Sequence, residues 1–270
     1  RIMSKKILPL LVLIMSLNAF SQQDSSRKGE QAKQMTPELL FKLGRVSALG
    51  ITNDEKNIIY KVTQVSVDEN KSSSKVYIMP VNGGTAKEIT DYSTLLSDKN
   101  VSKDGKVLYS EEVKIAKVLG KDYYPELDKS DVQIYDALDY RHWDTWNEGK
   151  HNHVFYKENA AAKEGTDIMK DEPFDSPQKP FGGDEDYIWS PDGNKIIYVS
   201  KKKVGTAYAV STNTDLYEYN LATKTTTNLT PENLGYDTAP QFSPDGNLTW
   251  LQMKRDGYEA DKNDIIVSFK

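Results

Sequence analysis

Trp189-Ser190-Pro191-Asp192-Gly193-Asn194 runs directly into the apolar segment Ile196-Ile197-Tyr198-Val199. An aromatic, a tight polar turn and a strand follow in that order. The turn has a physical logic: Pro presets φ, Asp accepts nearby backbone N–H groups, and Gly takes the exit conformation that other residues avoid. The same order returns at Phe242-Ser243-Pro244-Asp245-Gly246-Asn247 before Leu248–Leu251. Weaker copies are Ser102-Lys103-Asp104-Gly105 before Val107–Tyr109, and Thr52-Asn53-Asp54-Glu55 before Ile58–Val62. Asp192, Gly193, Asp245 and Gly246 are therefore assigned as structural turn residues. They lack the ligand spacing of a calcium loop.

A second feature keeps register with the first. Lys75-Val76-Tyr77-Ile78-Met79 leads through Gly83-Gly84 to Ile89-Thr90, and Asp215-Leu216-Tyr217-Glu218-Tyr219 leads through Ala222-Thr223-Lys224 to Leu229-Thr230. Tyr77 to Thr90 and Tyr217 to Thr230 are both 13 residues. Each unit reads as four short strands, and four-stranded units recurring at about 50 residues are propeller blades. The turn Asp residues stand at 54, 104, 192 and 245. The long middle step predicts an insertion of roughly 35–40 residues in one blade, of the kind that decorates repeat arrays. The expected fold is all-β: a partial β-propeller of about 3–4 four-stranded blades carrying one partly helical insertion.

The chain has 270 residues, a formal net charge of −5, 16 Tyr and no Cys. Without Cys, disulfides, thiolate catalysis and cysteine metal sites are excluded. Mild acidity and the lack of a basic cluster beyond Lys201–Lys203 exclude an electrostatic nucleic-acid surface. Arg1 and Ile2 stand before a start at Met3. Lys5 and Lys6, the apolar stretch Ile7–Leu17 and the small-x-small site Ala19-Phe20-Ser21 form the pattern of a cleaved signal peptide over 1–21. The apolar stretch is too short for a bilayer core of about 30 Å, so no membrane anchor is expected. A polar linker over 22–35 and a propeller region over 36–270 would follow, with export to a periplasm.

The insertion, placed at about 120–182, is the least repeat-like part. Asp131 suits a helix N-cap ahead of Val132–Leu138, and His151–Tyr156 suits a strand that rejoins the sheet. All three histidines, His142, His151 and His153, lie here. His151 and His153 would share one strand face, but their spacing matches no compact zinc motif, so packing and hydrogen bonding are the expected roles. Neither a metal nor another cofactor is expected. Arg141, His142, Trp143 and Asp144 form the candidate substrate-binding cluster. Two arrangements are open: the cluster faces a cavity and touches a peptide end, or an Arg141–Asp144 ion pair fastens the insertion. No G-x-S-x-G nucleophile elbow occurs, so no catalytic residue is assigned.

Three segments carry a resemblance: Asp139-Tyr140-Arg141-His142-Trp143-Asp144-Thr145-Trp146 with His151–Phe155, Asp175–Gly183 leading to Trp189–Gly193, and Arg255–Asn263. From about Thr36 to Lys270 the chain resembles the propeller of bacterial dipeptidyl-peptidase 5-type enzymes of the prolyl oligopeptidase family. The resemblance implies a longer parent in which a C-terminal α/β-hydrolase domain carries Ser, Asp and His and releases N-terminal dipeptides from oligopeptides. The propeller would gate and orient the substrate, and a polar or acidic group would receive its α-amino group. With about three and a half blades and no triad, the chain itself is expected to be a non-catalytic fragment. The competing expectation is a TolB-like periplasmic propeller that binds protein partners.

Overall fold

The computed structural model describes residues 34–138 and 140–268, in two compact units that divide after Leu96. The signal peptide over 1–21 and nearly all of the 22–35 linker lie outside the described residues.

In the first unit a short helix α1 (Pro37–Lys42) is capped by Thr36, whose hydroxyl accepts from the Leu39 N–H at 3.2 Å. Four strands follow: β1 (Arg45–Ile51), β2 (Asn57–Ser66), β3 (Lys71–Pro80) and β4 (Lys87–Ile89). They pair antiparallel in chain order as one up-and-down sheet. Tyr60 lies opposite Tyr77 across β2 and β3, and the two rings stack at 5.6 Å.

The second unit begins with β5 (Val107–Lys114). The chain then leaves the sheet through α2 (Gly120–Tyr123), a turn of 3-10 helix (Pro125–Leu127) and a small hairpin of β6 (Arg141–His142) and β7 (Thr145–Trp146). It returns as β8 (Lys150–Lys157), which pairs antiparallel with β5, and β9 (Thr166–Asp167) pairs with β8. The excursion between paired strands thus covers residues 115–149, while Lys150–Lys157 belongs to the sheet. A complete four-stranded sheet follows: β10 (Tyr187–Trp189), β11 (Lys195–Ser200), β12 (Asp215–Asn220) and β13 (Thr225–Asn228), with helix α3 (Gly205–Val210) in the β11–β12 connection. The last sheet has β14 (Asp237–Phe242), β15 (Leu248–Gln252) and β16 (Asp264–Ser268). These blade-type sheets, none of them closed, make the fold a partial β-propeller.

One sequence-based expectation fails. Asp131 caps no helix, because β-branched Val132 and Ile134 pair with the chain just upstream instead. Gly120 N–H donates to the Val132 carbonyl at 2.6 Å, and Ile134 N–H donates to the Val118 carbonyl at 2.8 Å. The helix lies earlier, at α2, where the Asp122 carboxylate accepts from Val118 and Leu119 N–H.

The core of the second unit follows from strand period. Successive side chains on a strand face opposite ways. Ile196 and Tyr198 of β11 pack on one side with Leu108, Val154 and Trp189, whereas Ile197 and Val199 pack on the other with Leu216, Phe242 and Trp250. A strand covered on both faces reads as an unbroken apolar run, which is why Ile196–Val199 shows no alternation.

Candidate functional site

The hairpin β6–β7 puts Arg141 opposite Trp146 and His142 opposite Thr145, leaving Trp143 and Asp144 at its tip. Trp143 has φ of +49°. That conformation is an outlier for a bulky side chain. Its indole is 68% exposed. Behind the tip, Trp146 stacks on Tyr135 at 6.0 Å and on Tyr140 at 6.1 Å, and the Tyr135 hydroxyl donates to the Asn147 carbonyl at 2.7 Å. Stacked rings therefore hold an excursion that has little buried core.

Arg141 Nε donates to the Trp143 carbonyl at 2.6 Å, and its guanidinium lies 5.2 Å from the Trp146 ring. No Arg141–Asp144 ion pair forms among the described residues. In place of the fastening pair, one of the two arrangements left open, Arg141 bonds the backbone of its own turn, which the two-residue tip brings within reach.

The opposite wall comes from β8 and the Pro-rich segment 173–183. Asp175, nearly buried, accepts from the Asn152 N–H at 2.8 Å through Oδ1 and contacts His151 Nδ1 at 3.0 Å through Oδ2. Lys179 sits 3.4 Å from Asp175 and 3.1 Å from Glu112, and also donates to the Lys150 carbonyl. Asp186 accepts from the Gln178 N–H at 2.8 Å, and Gln178 Nε2 donates to the Tyr208 hydroxyl at 3.2 Å. Burial pushes the Asp186 carboxyl up to about 6, against the pull of the Gln178 N–H. Ser176-Pro177 and Lys179-Pro180 are cis. Phe181, 73% exposed, meets the Trp143 ring edge-on at 5.2 Å, so hairpin tip and loop touch.

Between these walls lies a cleft of about 660 Å³, lined by all four residues of the predicted cluster and by His151, Asp175 and Lys179. Its chemistry is mixed: aromatic faces at the rim, fixed charges below. Such a surface can stack on a side chain and bond an extended backbone.

Sequence reasoning missed the His151–Asp175–Lys179 cluster, because 24 residues separate His151 from Asp175. A usable signal existed in the shared strand face of His151 and His153. Their fates differ, however. His153 is fully buried, with Nδ1 at 2.8 Å from Asp167 and Nε2 at 2.9 Å from the Glu172 carbonyl. Both of its nitrogens face acceptors, which defines an imidazolium. Burial pulls its pKa down, but the Asp167 carboxylate and the Glu172 carbonyl outweigh this and leave it raised.

The turn residues sit where the repeats put them. Ser190 donates to Asp192 at 2.6 Å, Gly193 N–H donates to the Ser190 carbonyl at 2.8 Å, and Gly193 has φ of +70°. The Ser190 hydroxyl holds the Asp192 carboxyl down at about 2, helped by the Asn194 N–H. Asp245 and Gly246 repeat this arrangement: Ser243 donates to Asp245, and Gly246 has φ of +83°.

No family model matches the chain. Among curated proteins it is 33% identical to dipeptidyl-peptidase 5 of Porphyromonas gingivalis, over 98% of this chain and 45% of that protein. It is 32% identical to dipeptidyl-peptidase 5 of Porphyromonas endodontalis, over 90% of this chain and 42% of that protein. The chain therefore spans less than half the length of these relatives. Among solved structures, an acylaminoacyl peptidase of Pyrococcus horikoshii is similar at 12% identity and a TM-score of 0.47, over 84% of this chain and 38% of that one. The propeller domain of the Trilobed protease of Pyrococcus furiosus is similar at 11% identity and a TM-score of 0.32, over 82% of this chain and 48% of that one. Identity of 33% along 98% of this chain shows one thing: the chain belongs with the dipeptidyl-peptidase 5 proteins, and its blade-type sheets make it a partial propeller.

Proposed function

We propose that this chain is the substrate-gating part of an exported serine exopeptidase that releases N-terminal dipeptides from oligopeptides, and that it performs no hydrolysis itself. The observation that carries the proposal is the 98% coverage of this chain by a dipeptidyl-peptidase homologue. The cleft beside β6–β7 supports it. Trp143 offers a ring face to a peptide side chain, and the terminal nitrogens of Arg141, seated over the Trp146 ring, can donate to peptide carbonyl oxygens. The nucleophile and its partners would come from an α/β-hydrolase domain of the parent chain, since no G-x-S-x-G is present here. The basic and apolar N-terminal segment supports export to a periplasm.

The test compares this 270-residue chain with its complete reading frame on a chromogenic dipeptidyl substrate. Release by the complete form alone, stopped by a serine-directed inhibitor, is expected. In that form Arg141→Ala and Asp144→Ala should lower kcat/KM. Release by the short chain, or an inactive but folded complete form, would refute the proposal.

A further inference from the structure

His153 stands at the root of one cleft wall, behind the residues that line the cleft. It projects from β8 and is fully buried. Nδ1 lies 2.8 Å from Asp167 Oδ2 of β9, and Nε2 lies 2.9 Å from the Glu172 carbonyl. Glu172 opens the segment 172–183, which brings Asp175 and Lys179 to the cleft. The chain enters that segment through Asp171, whose φ of +65° is costly for a residue with a Cβ. A segment that leaves a strained turn keeps its place only while its root is fastened.

Two acceptors face one imidazole. The imidazolium has a proton for each, and the neutral ring has only one. The Asp167 carboxylate is the stronger acceptor, so it keeps that proton on Nδ1. Nε2 then turns a lone pair towards the Glu172 carbonyl, and a buried bond becomes a contact between two acceptors. Other charges near the ring do not replace the lost bond. The Glu172 carboxylate lies 2.6 Å from Lys202, whose ammonium also donates to the Tyr198 hydroxyl. Glu111, opposite His153 on β5, is exposed. His151, next on the same face of β8, holds Asp175 through Nδ1. Burial opposes the charge on His153, but the Asp167 carboxylate and the Glu172 carbonyl outweigh it and raise its pKa. Farther along the segment, Asp186 grips the Gln178 N–H, with a carboxyl that burial pushes up to about 6.

We propose that His153 is a positioning residue for the cleft: protonated, it latches the root of segment 172–183 onto β8, and neutral, it lets that root go. The held state carries the extra proton. The latch is therefore complete below the free-histidine value of about 6.5 and is lost as pH rises through the raised value. That the latch governs peptide binding rests on the role given above; the latch itself is tested without a peptide.

Hydrogen–deuterium exchange of the chain between pH 6 and 9 is the test, expressed as protection factors to remove the intrinsic rise of exchange with pH. The reporters are the amides of Glu172, Ser176 and Gly182, which donate to the Met169, Asn152 and Gln178 carbonyls. The amides of β11 report opening of the whole unit. Protection of the reporters should lie below that of β11 and stay nearly constant in dilute urea, because local opening exposes little surface. It should fall about tenfold from pH 6 to 9, on the order of one buried hydrogen bond. His153→Gln, which cannot become cationic, should start low and stay flat. His151→Asn keeps a donor for Asp175, and Asp186→Asn keeps an acceptor for the Gln178 N–H. The double variant of these two removes both other titrations and should keep the fall. Reporters that open only with β11, at its protection and its urea dependence, would overturn the proposal. So would a fall that survives in His153→Gln, or one that disappears in the double variant and so belongs to His151 or Asp186. The double variant decides the question even where His153→Gln does not fold.

Discussion

Glu55 stands in the first turn where Gly193 and Gly246 stand in the later ones, and it takes the same left-handed conformation, with φ of +59°. The surrounding bonds are the same: Thr52 donates to Asp54 at 2.6 Å, and Glu55 N–H donates to the Thr52 carbonyl at 2.7 Å. A left-handed residue with a Cβ costs about 1–2 kcal/mol. Glu55→Gly is therefore expected to stabilise the first unit by up to ~1 kcal/mol, after the extra chain entropy of Gly. Gly193→Ala should destabilise by about 1 kcal/mol, because its added Cβ meets only ordinary contacts and conformation alone decides. Urea melts of the two variants check the opposite signs. His153 belongs to the same scale. Its raised pKa means that its contribution is complete below the unfolded value of about 6.5 and fades as pH rises through the folded value. Stability measured between pH 6 and 9 should fall accordingly. His153→Ala should flatten this dependence and cost about 3 kcal/mol, since it strips Asp167 of its partner.

At the scale of the element, β11 is the strand with most at stake. Ile196 and Ile197 are both fully buried, yet they serve separate clusters on opposite faces. Each Ile→Ala change should cost about 2–5 kcal/mol. Because adjacent side chains on this strand share no cluster, the double variant should be near the sum. A coupling well beyond 0.5 kcal/mol in denaturant melts would show that the two faces communicate through the strand. The turns before each strand were legible in the sequence because their conformation is local. The cross-strand rings were not: Tyr60/Tyr77 and Tyr198/Tyr217 lie at matching places and stack at 5.6 and 5.5 Å, but each stack joins two strands and shows only once they pair. The excursion was less legible. Val132 and Ile134 could serve a helix or an extended segment, and the partner that settles the matter lies more than ten residues upstream.

At the scale of the molecule, the sheets differ in how well they are covered. β11 lies between two packed faces, whereas Ile265 of β16 is 75% exposed. Beyond β15, β16 pairs with no strand among the described residues. An apolar edge of this kind invites pairing with another chain. Ile265→Lys should leave stability within ~0.5 kcal/mol and reduce concentration-dependent association in sedimentation velocity. Unchanged association would place the contact elsewhere.

The sequence by itself determined the all-β class, the blade repeat and the turn chemistry, because a Ser-Pro-Asp-Gly turn and a period-2 strand are set by interactions within a few residues. It also determined that Arg141–Asp144 form one local group. Only the tertiary structure decided what faces that group. The loop carrying Asp175 and Lys179 reaches β8 through bonds across 23 to 29 positions of chain. A contact of that separation depends on where two sheets' worth of backbone have already packed, and no local pattern of residues encodes it.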